Sequence, residues 1–253
     1  DPNTNSINIS MGFKDVSHTD KVTIEGGKEL VLVGNAVNAI PEGSFGDDAN
    51  KLLKDSADGG SIDVNNGQFT FGSHGGVTPT VGWILSSNIG EDGALEAKNG
   101  EFADWTIANN GNVHVHSNAI LHINSLTGNG STVNEGKLSL DEKHGNLPVF
   151  DVTGNFLNKG QNSVLDASKV DKVTVSGTHA NEGKADYNDM LIAEGGSSNN
   201  SGTEKGNILT VEGTHTNSGT SIWNGVTVAD KGKGENAGKL DVGTVFDVIG
   251  EFV

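Results

Sequence analysis

Cysteine and arginine are both absent from this 253-residue chain, and proline occurs only four times. Without cysteine there is no disulfide framework and no thiolate metal site. The absence suits a cytosolic protein, and it equally suits one that crosses an oxidising compartment unfolded, where a disulfide would lock it too early. Without arginine, all 16 positive charges are lysines, and they face 33 acids for a net charge of −17. Such a surface repels phosphate backbones, which argues against direct nucleic-acid binding. No polybasic stretch is present to hold an anionic membrane. Aromatic residues make up 5% of the chain and hydrophobic residues 33%, well below the roughly 45–50% apolar share of a globule with one deep core. No run approaches the ~18 apolar residues of a membrane-spanning helix. The start, Asp1-Pro2-Asn3, is polar and unlike a signal peptide, so an exported form is expected to have lost its targeting segment already.

What the chain has in abundance is turn-forming residues: 37 glycines and 29 asparagines. Both tolerate left-handed backbone and suit tight corners. Disorder is the competing reading of such a composition. Against it, β-branched residues and leucine recur in alternating runs, which is the period of a half-buried strand. The sequence therefore reads as many short strands separated by many turns.

A repeat underlies the pattern. Gly130–Gly136, Gly154–Gly160, Gly177–Gly183 and Gly213–Gly219 all have the form G-x-x-x-N-x-G, and Phe150-Asp-Val152, Val173-Thr-Val175 and Leu209-Thr-Val211 lead into three of them. Phe246-Asp-Val248-Ile-Gly250 begins a further copy. Successive first glycines are 24, 23, 36 and 37 residues apart. A period near 23 is too short for a domain and right for one solenoid coil. The spacing predicts a right-handed parallel β-helix of about 23 residues per coil, each with about three strands and an inward stack of aliphatic side chains. Asn134, Asn158, Asn181 and Asn217 are expected to form a hydrogen-bonded corner ladder, with Gly136, Gly160, Gly183 and Gly219 supplying positive φ beside them. Residues 1–253 read as a single solenoid, less regular over 1–60 with an excursion at 41–60, and regular from 61 onward. Within the first excursion residues 47–55 are compatible with a short helix. A coil of 23 leaves 13 residues over in the 36-residue interval, so a projecting loop is expected across 184–206. For the 37-residue interval, a loop and an extra coil lacking the motif stay open. By the spacing from Gly154 to Asn158, the residue following Val253 is expected to be Asn, with the native polypeptide continuing through further coils to a membrane anchor.

With glycine–asparagine corners, no cysteine, strong acidity and V-x-V strands, the chain resembles the passenger domain of a type V autotransporter adhesin. It is most similar to the AIDA-like, self-associating kind of Gram-negative bacteria. The N-x-G turns are also similar to those of two-partner-secretion exoproteins. The resemblance covers most of the chain and is one of pattern. It implies an extracellular β-helix, tethered to the outer membrane through a C-terminal β-barrel that this sequence does not contain. It further implies homotypic association or binding to a host matrix protein or glycan, giving cell aggregation or biofilm growth, with no catalysis and no cofactor. It transfers no binding residues.

The residues themselves offer few chemical motifs. Polysaccharide-active enzymes also use parallel β-helices, but without arginine a galacturonase signature is incomplete, and Ser73-His74-Gly75 is the nearest fragment. There is no Gly-Asp-Ser-Gly nucleophile motif, no phosphate-binding glycine loop ending in Gly-Lys-Ser/Thr, and no nonapeptide calcium repeat, although scattered weak calcium sites stay open. His114, His116 and His122 share parity on one extended stretch, a spacing that suits a transition metal. No further ligand is apparent in the sequence, and a solvated outer face with Val113 and Val115 inward explains the same pattern. The reading taken is the outer face, with no metal. His179 and His215 fall at the same repeat position and read as surface residues. Trp83, Trp105, Trp223 and Tyr187 are either contact residues or lids over coil ends and corners, and Asp186 and Asp189 join Tyr187 as contact candidates on the expected loop. The functional expectation is an adhesive module; a polysaccharide-active enzyme and a plain stalk are the alternatives.

Overall fold

In the computed structural model, residues 6–7, 21–24, 28–32, 61–71, 82–142 and 146–253 are described, and among them every regular element is a β-strand. The expected excursion at 41–60, with its helix at 47–55, lies outside the described residues. All strand pairs are parallel, and each strand is hydrogen-bonded to the equivalent strands of the coils before and after it. The result is a β-solenoid of about eight turns.

One coil shows how the sequence builds the unit. Thr178–Asn181 forms a four-residue strand, Glu182-Gly183 turns the chain, and Lys184–Ile192 supplies two faces that bend near Asn188. Ala193-Glu194-Gly195-Gly196 then turns it again, and Ser197–Asn200 lands directly on Thr178–Asn181 in register. Alternation of small polar and inward residues gives the exposed–buried pattern of each short strand.

The coils are shorter than the sequence arithmetic predicts. Ladder asparagines stand at 134, 158, 181, 200, 217 and 236, so coils run from 17 to 24 residues, and the last three intervals are 19, 17 and 19. The expected loop at 184–206 is instead ordinary solenoid: Lys184–Ile192, Ser197–Asn200 and Thr203–Val211 are strands in register with their neighbours. The 36- and 37-residue intervals each contain an extra coil, and these extra coils carry the motif as Gly196–Gly202 and Gly232–Gly238. The period of 23 came from the two longest coils. Between Asn158 and Asn181 the chain spends extra residues in the Gly160–Ser163 turn and in a bulge between Ala167 and Lys172.

The interior is a set of columns. Val173, Met190, Leu209 and Val226 stack in one, and Val175, Ile192, Val211 and Val228 in the next, all buried. The asparagine ladder forms the corner column. Each Nδ2 donates to the next Oδ1 at 2.7–2.8 Å, from Asn134 through Asn158, Asn181, Asn200 and Asn217 to Asn236. The second Nδ2 hydrogen goes to the main chain one coil on, at Val164, Lys184, Thr203, Thr220 and Lys239. A buried amide that makes three bonds carries no desolvation penalty. The ladder stops at Asn134 because the residue before it in the column is Val115; the Asn134 Oδ1 is buried without a partner.

The corner glycines work mainly by close approach. Of Gly136, Gly160, Gly183 and Gly219, only Gly160 has positive φ. At Gly219 a Cβ would sit 2.1 Å from the Gly202 carbonyl oxygen, and at Gly136 2.3 Å from those of His116 and Ala119. Stacked corners at sheet spacing leave no room for a side chain there, which corrects the expectation of positive φ at every corner.

Candidate functional site

Two chemically unusual arrangements stand out, one inside the solenoid and one outside. The inner one gathers residues that the sequence reading placed on the surface. In the motif strand, the residue two before the ladder Asn shares its inward parity. His179 and His215 hold that position, in the column Thr132, Phe156, His179, Ser198, His215. Both rings are buried. Tyr187 and Trp223 are buried too, so neither serves as an exposed contact residue. They stack at 5.9 Å and 11° because Gly206, in the coil between them, has no side chain; a Cβ there would lie 2.2 Å from the Trp223 ring.

A polar network threads this aromatic column. The Tyr187 hydroxyl lies 2.9 Å from His179 Nε2, and His179 Nδ1 lies 3.1 Å from Ser198 Oγ. The Trp223 indole donates to Ser221 Oγ, which donates in turn to Glu204 Oε1 at 2.7 Å. Glu204 is fully enclosed, and His215 Nε2 stands 3.1 Å from its Oε1 without the alignment of a hydrogen bond. Burial pushes the Glu204 carboxyl up, but the neighbouring His215 ring and Ser221 hydroxyl outweigh it and hold the group below the usual carboxylate value. Burial drives the His179 imidazole down to about 4. The network faces no solvent, so its consequence is for stability.

The outer arrangement runs over Gly82–Asn109, Asn112–Thr127 and the strands that follow. Val113 and Val115 point inward, which turns His114 and His116 out, as their parity predicts. Their rings stack at 3.8 Å. The register sets Glu96 beside His114 from the preceding coil. Its Oε2 is 2.5 Å from His116 Nε2 and 3.6 Å from His114 Nδ1. From the following coil, Glu135 Oε2 meets His114 Nε2 at 3.1 Å, and Lys159 reaches Glu135 at 2.9 Å. Bonds from Lys159 and His114 hold the Glu135 carboxyl below its ordinary value. Further along the same stretch, His122 bonds Glu101 at 3.0 Å and Asp141 at 2.8 Å. Partial burial raises the Asp141 carboxyl, and bonds from Lys169 and His122 more than reverse this, leaving it at about 2.

Glu96, His114 and His116 each offer a ligand atom within 4.8 Å of the others, and all three are half-buried. Among the described residues they form the one such group of three. The acids were invisible to sequence reasoning because they come from adjacent coils, about twenty residues away.

Asp186 and Asp189 lie on Lys184–Ile192 rather than on a loop. Asp186 pairs with Lys205 at 2.7 Å, and Asp189 accepts from the Asn207 side chain and the Ile208 amide. The side chains of Trp83 and Trp105 lie outside those described. The face carrying the short motif strands presents two outward rows that stay uncharged over four coils and then continue into Lys233 and Glu235. Its outward rows are Asn155, Thr178, Ser197, Thr214 and Leu157, Ala180, Asn199, Thr216, each residue in register with the next. Compared with known proteins, the chain matches no family model, no curated sequence and no solved structure.

Proposed function

We propose that this chain is a stretch of a bacterial surface adhesin that works by binding and self-association, without catalysis. The observation that carries the reading is the in-register repetition of the motif face. Short uncharged side chains, mostly Ser, Thr and Asn, repeat outward at coil spacing over Asn155–Asn158, Thr178–Asn181, Ser197–Asn200 and Thr214–Asn217. Such a face offers many equivalent polar contacts on a rigid backing. Repetition multiplies weak contacts into useful avidity when two rods lie side by side, and low charge at the centre of a contact favours association. An acidic remainder keeps the rod from collapsing onto unrelated anionic partners. The same face suits a glycan or a matrix protein with repeated hydroxyl and amide groups.

The test is sedimentation velocity of the purified chain over a wide concentration range, alongside binding to immobilised matrix proteins and glycans. Wild type should associate reversibly or bind saturably. Thr178→Lys with Thr216→Lys, both outward, should abolish this while the circular dichroism spectrum stays unchanged. A chain that remains monomeric throughout and binds nothing on the panel would overturn the proposal.

One finding favours a second reading, a stalk that holds a distal tip away from the cell. The segment 184–206, expected to project, is ordinary coil. Under that reading, deleting one coil from the anchored protein leaves adhesion intact; under the adhesin reading it weakens adhesion.

A further inference from the structure

The outer-face group around Glu96 has the donors of a metal site and the support that such sites require. His114 Nε2 is bonded to the Glu135 carboxylate at 3.1 Å. A neutral imidazole has one N–H, so donation to Glu135 leaves the Nδ1 lone pair pointing elsewhere. In that tautomer Nδ1 is an acceptor, and it stands 3.6 Å from Glu96 Oε2, itself an acceptor. His116 Nε2 is hydrogen-bonded to the same oxygen, its ring stacked on that of His114. Three potential ligand atoms therefore lie within 4.8 Å of one another on side chains that are each partly exposed.

From these contacts we infer that Glu96, His114 and His116 form a binding site for one divalent transition-metal ion of the zinc class. Two imidazoles and a carboxylate are a borderline donor set, suited to zinc, nickel or copper and poorly suited to calcium or magnesium. Three protein ligands with a free position match an open, four-coordinate zinc site. Bonds of about 2.0–2.1 Å at tetrahedral angles place ligand atoms roughly 3.3 Å apart. The 3.6 Å gap at His114 is already close to this. At His116 the ion would replace the hydrogen bond to Glu96, and the two atoms would separate by somewhat under 1 Å on this estimate.

The surrounding shell is the stronger argument. Metal-bound histidines generally donate their other N–H to a carboxylate, which fixes ring and tautomer. Here Glu135 takes that part for His114, and Lys159 holds Glu135 at 2.9 Å. Buried Val113 and Val115 anchor the strand that presents both rings. His122 makes an instructive contrast. Acids occupy both of its ring nitrogens, and among the described residues no second imidazole joins it in a group of three.

The experiment is calorimetric titration of ZnCl2 into the full chain at neutral pH, repeated with CaCl2. One zinc per chain is expected, with no calcium bound at the same site. His114→Ala, His116→Ala and Glu96→Gln should each weaken zinc binding at least tenfold. Glu135→Gln should weaken it about tenfold, the usual effect of losing a carboxylate behind a ligating histidine. His122→Ala should leave it unchanged. All five positions face outward, and each variant's melting curve checks that it folds. On the unmutated chain, Cu2+ electron paramagnetic resonance should show coupling to two imidazole nitrogens. Absence of zinc binding, binding that survives loss of both His114 and His116, or copper spectra without imidazole nitrogen would each overturn the assignment.

Discussion

Replacing Asn181 by Leu tests the ladder where it is fully formed. Asn181 Nδ2 donates to Asn200 Oδ1 at 2.8 Å and to the Thr203 carbonyl at 3.1 Å, while its Oδ1 accepts from Asn158 Nδ2 at 2.8 Å. Leucine removes all three bonds. Asn158 keeps its bond to the Lys184 carbonyl, so its amide is only partly deprived. Asn200 Oδ1 loses the partner it takes from the ladder. An orphaned buried acceptor costs roughly 1–3 kcal/mol, and each lost ordinary bond roughly 0.5–1.5. The expected destabilisation is therefore about 2–5 kcal/mol. Asn134→Leu supplies the internal control. Its Oδ1 already lacks a partner, so the change removes an existing penalty while breaking the bonds to Asn158 and Val164. The net cost there is expected to be only about 0–2 kcal/mol. Urea unfolding followed by circular dichroism measures both. Equal midpoints for the two variants, or an unchanged midpoint for Asn181→Leu, would refute the reasoning.

The remaining predictions draw on the same columns. Val115→Asn would give Asn134 Oδ1 a donor but leave the new Oδ1 facing Ala97 without one, and it removes a buried valine, so the unfolding midpoint should fall; a raised midpoint contradicts this. His179 titrates near 4 when folded and near 6.5 when unfolded, so the unfolded chain binds the extra proton between those values. Stability should be full above pH 6.5, fall as pH drops toward 4 by about 3 kcal/mol, and then level off for this group. His179→Phe, which copies Phe156 in the same column, should flatten that part of the curve. Gly206→Ala should push Trp223 out of its stack on Tyr187, shifting its fluorescence to the red; an unchanged spectrum would contradict the stacking.

Much of the fold is legible in the sequence, because a solenoid writes its geometry as repetition. The four motif copies and the V-x-V strands specify a parallel stack with Asn at one corner. Coil length was harder to read. The bulge at Ala167–Lys172 and the Gly160 turn lengthen one coil, and the 24-residue coil beside it set a false standard. Against that standard Gly196-Ser-Ser-Asn-Asn200-Ser-Gly202 looked like loop, though its spacing matches the motif. Core composition misled for a different reason. Polarity places His179 and His215 outside, but parity with the ladder Asn places them inside, as parity with Leu138 and Leu240 after the second glycine places Glu204. In a narrow solenoid, polar side chains that bond one another or close to the chain can replace aliphatic ones. The His114–His116 pair was readable from parity alone, whereas Glu96 and Glu135 needed the register between coils.

Adhesion through the motif face, as proposed above, can be read on living cells. The direct measurement is the settling of bacteria that display residues 1–253 on an outer-membrane barrel, mixed with differently labelled cells that carry the barrel alone. Displaying cells should settle together and leave the others in suspension, or they alone should attach to a matrix-protein or glycan surface. Thr178→Lys with Thr216→Lys should abolish the effect. Displaying cells that stay dispersed and unattached, like their barrel-only neighbours, would contradict it.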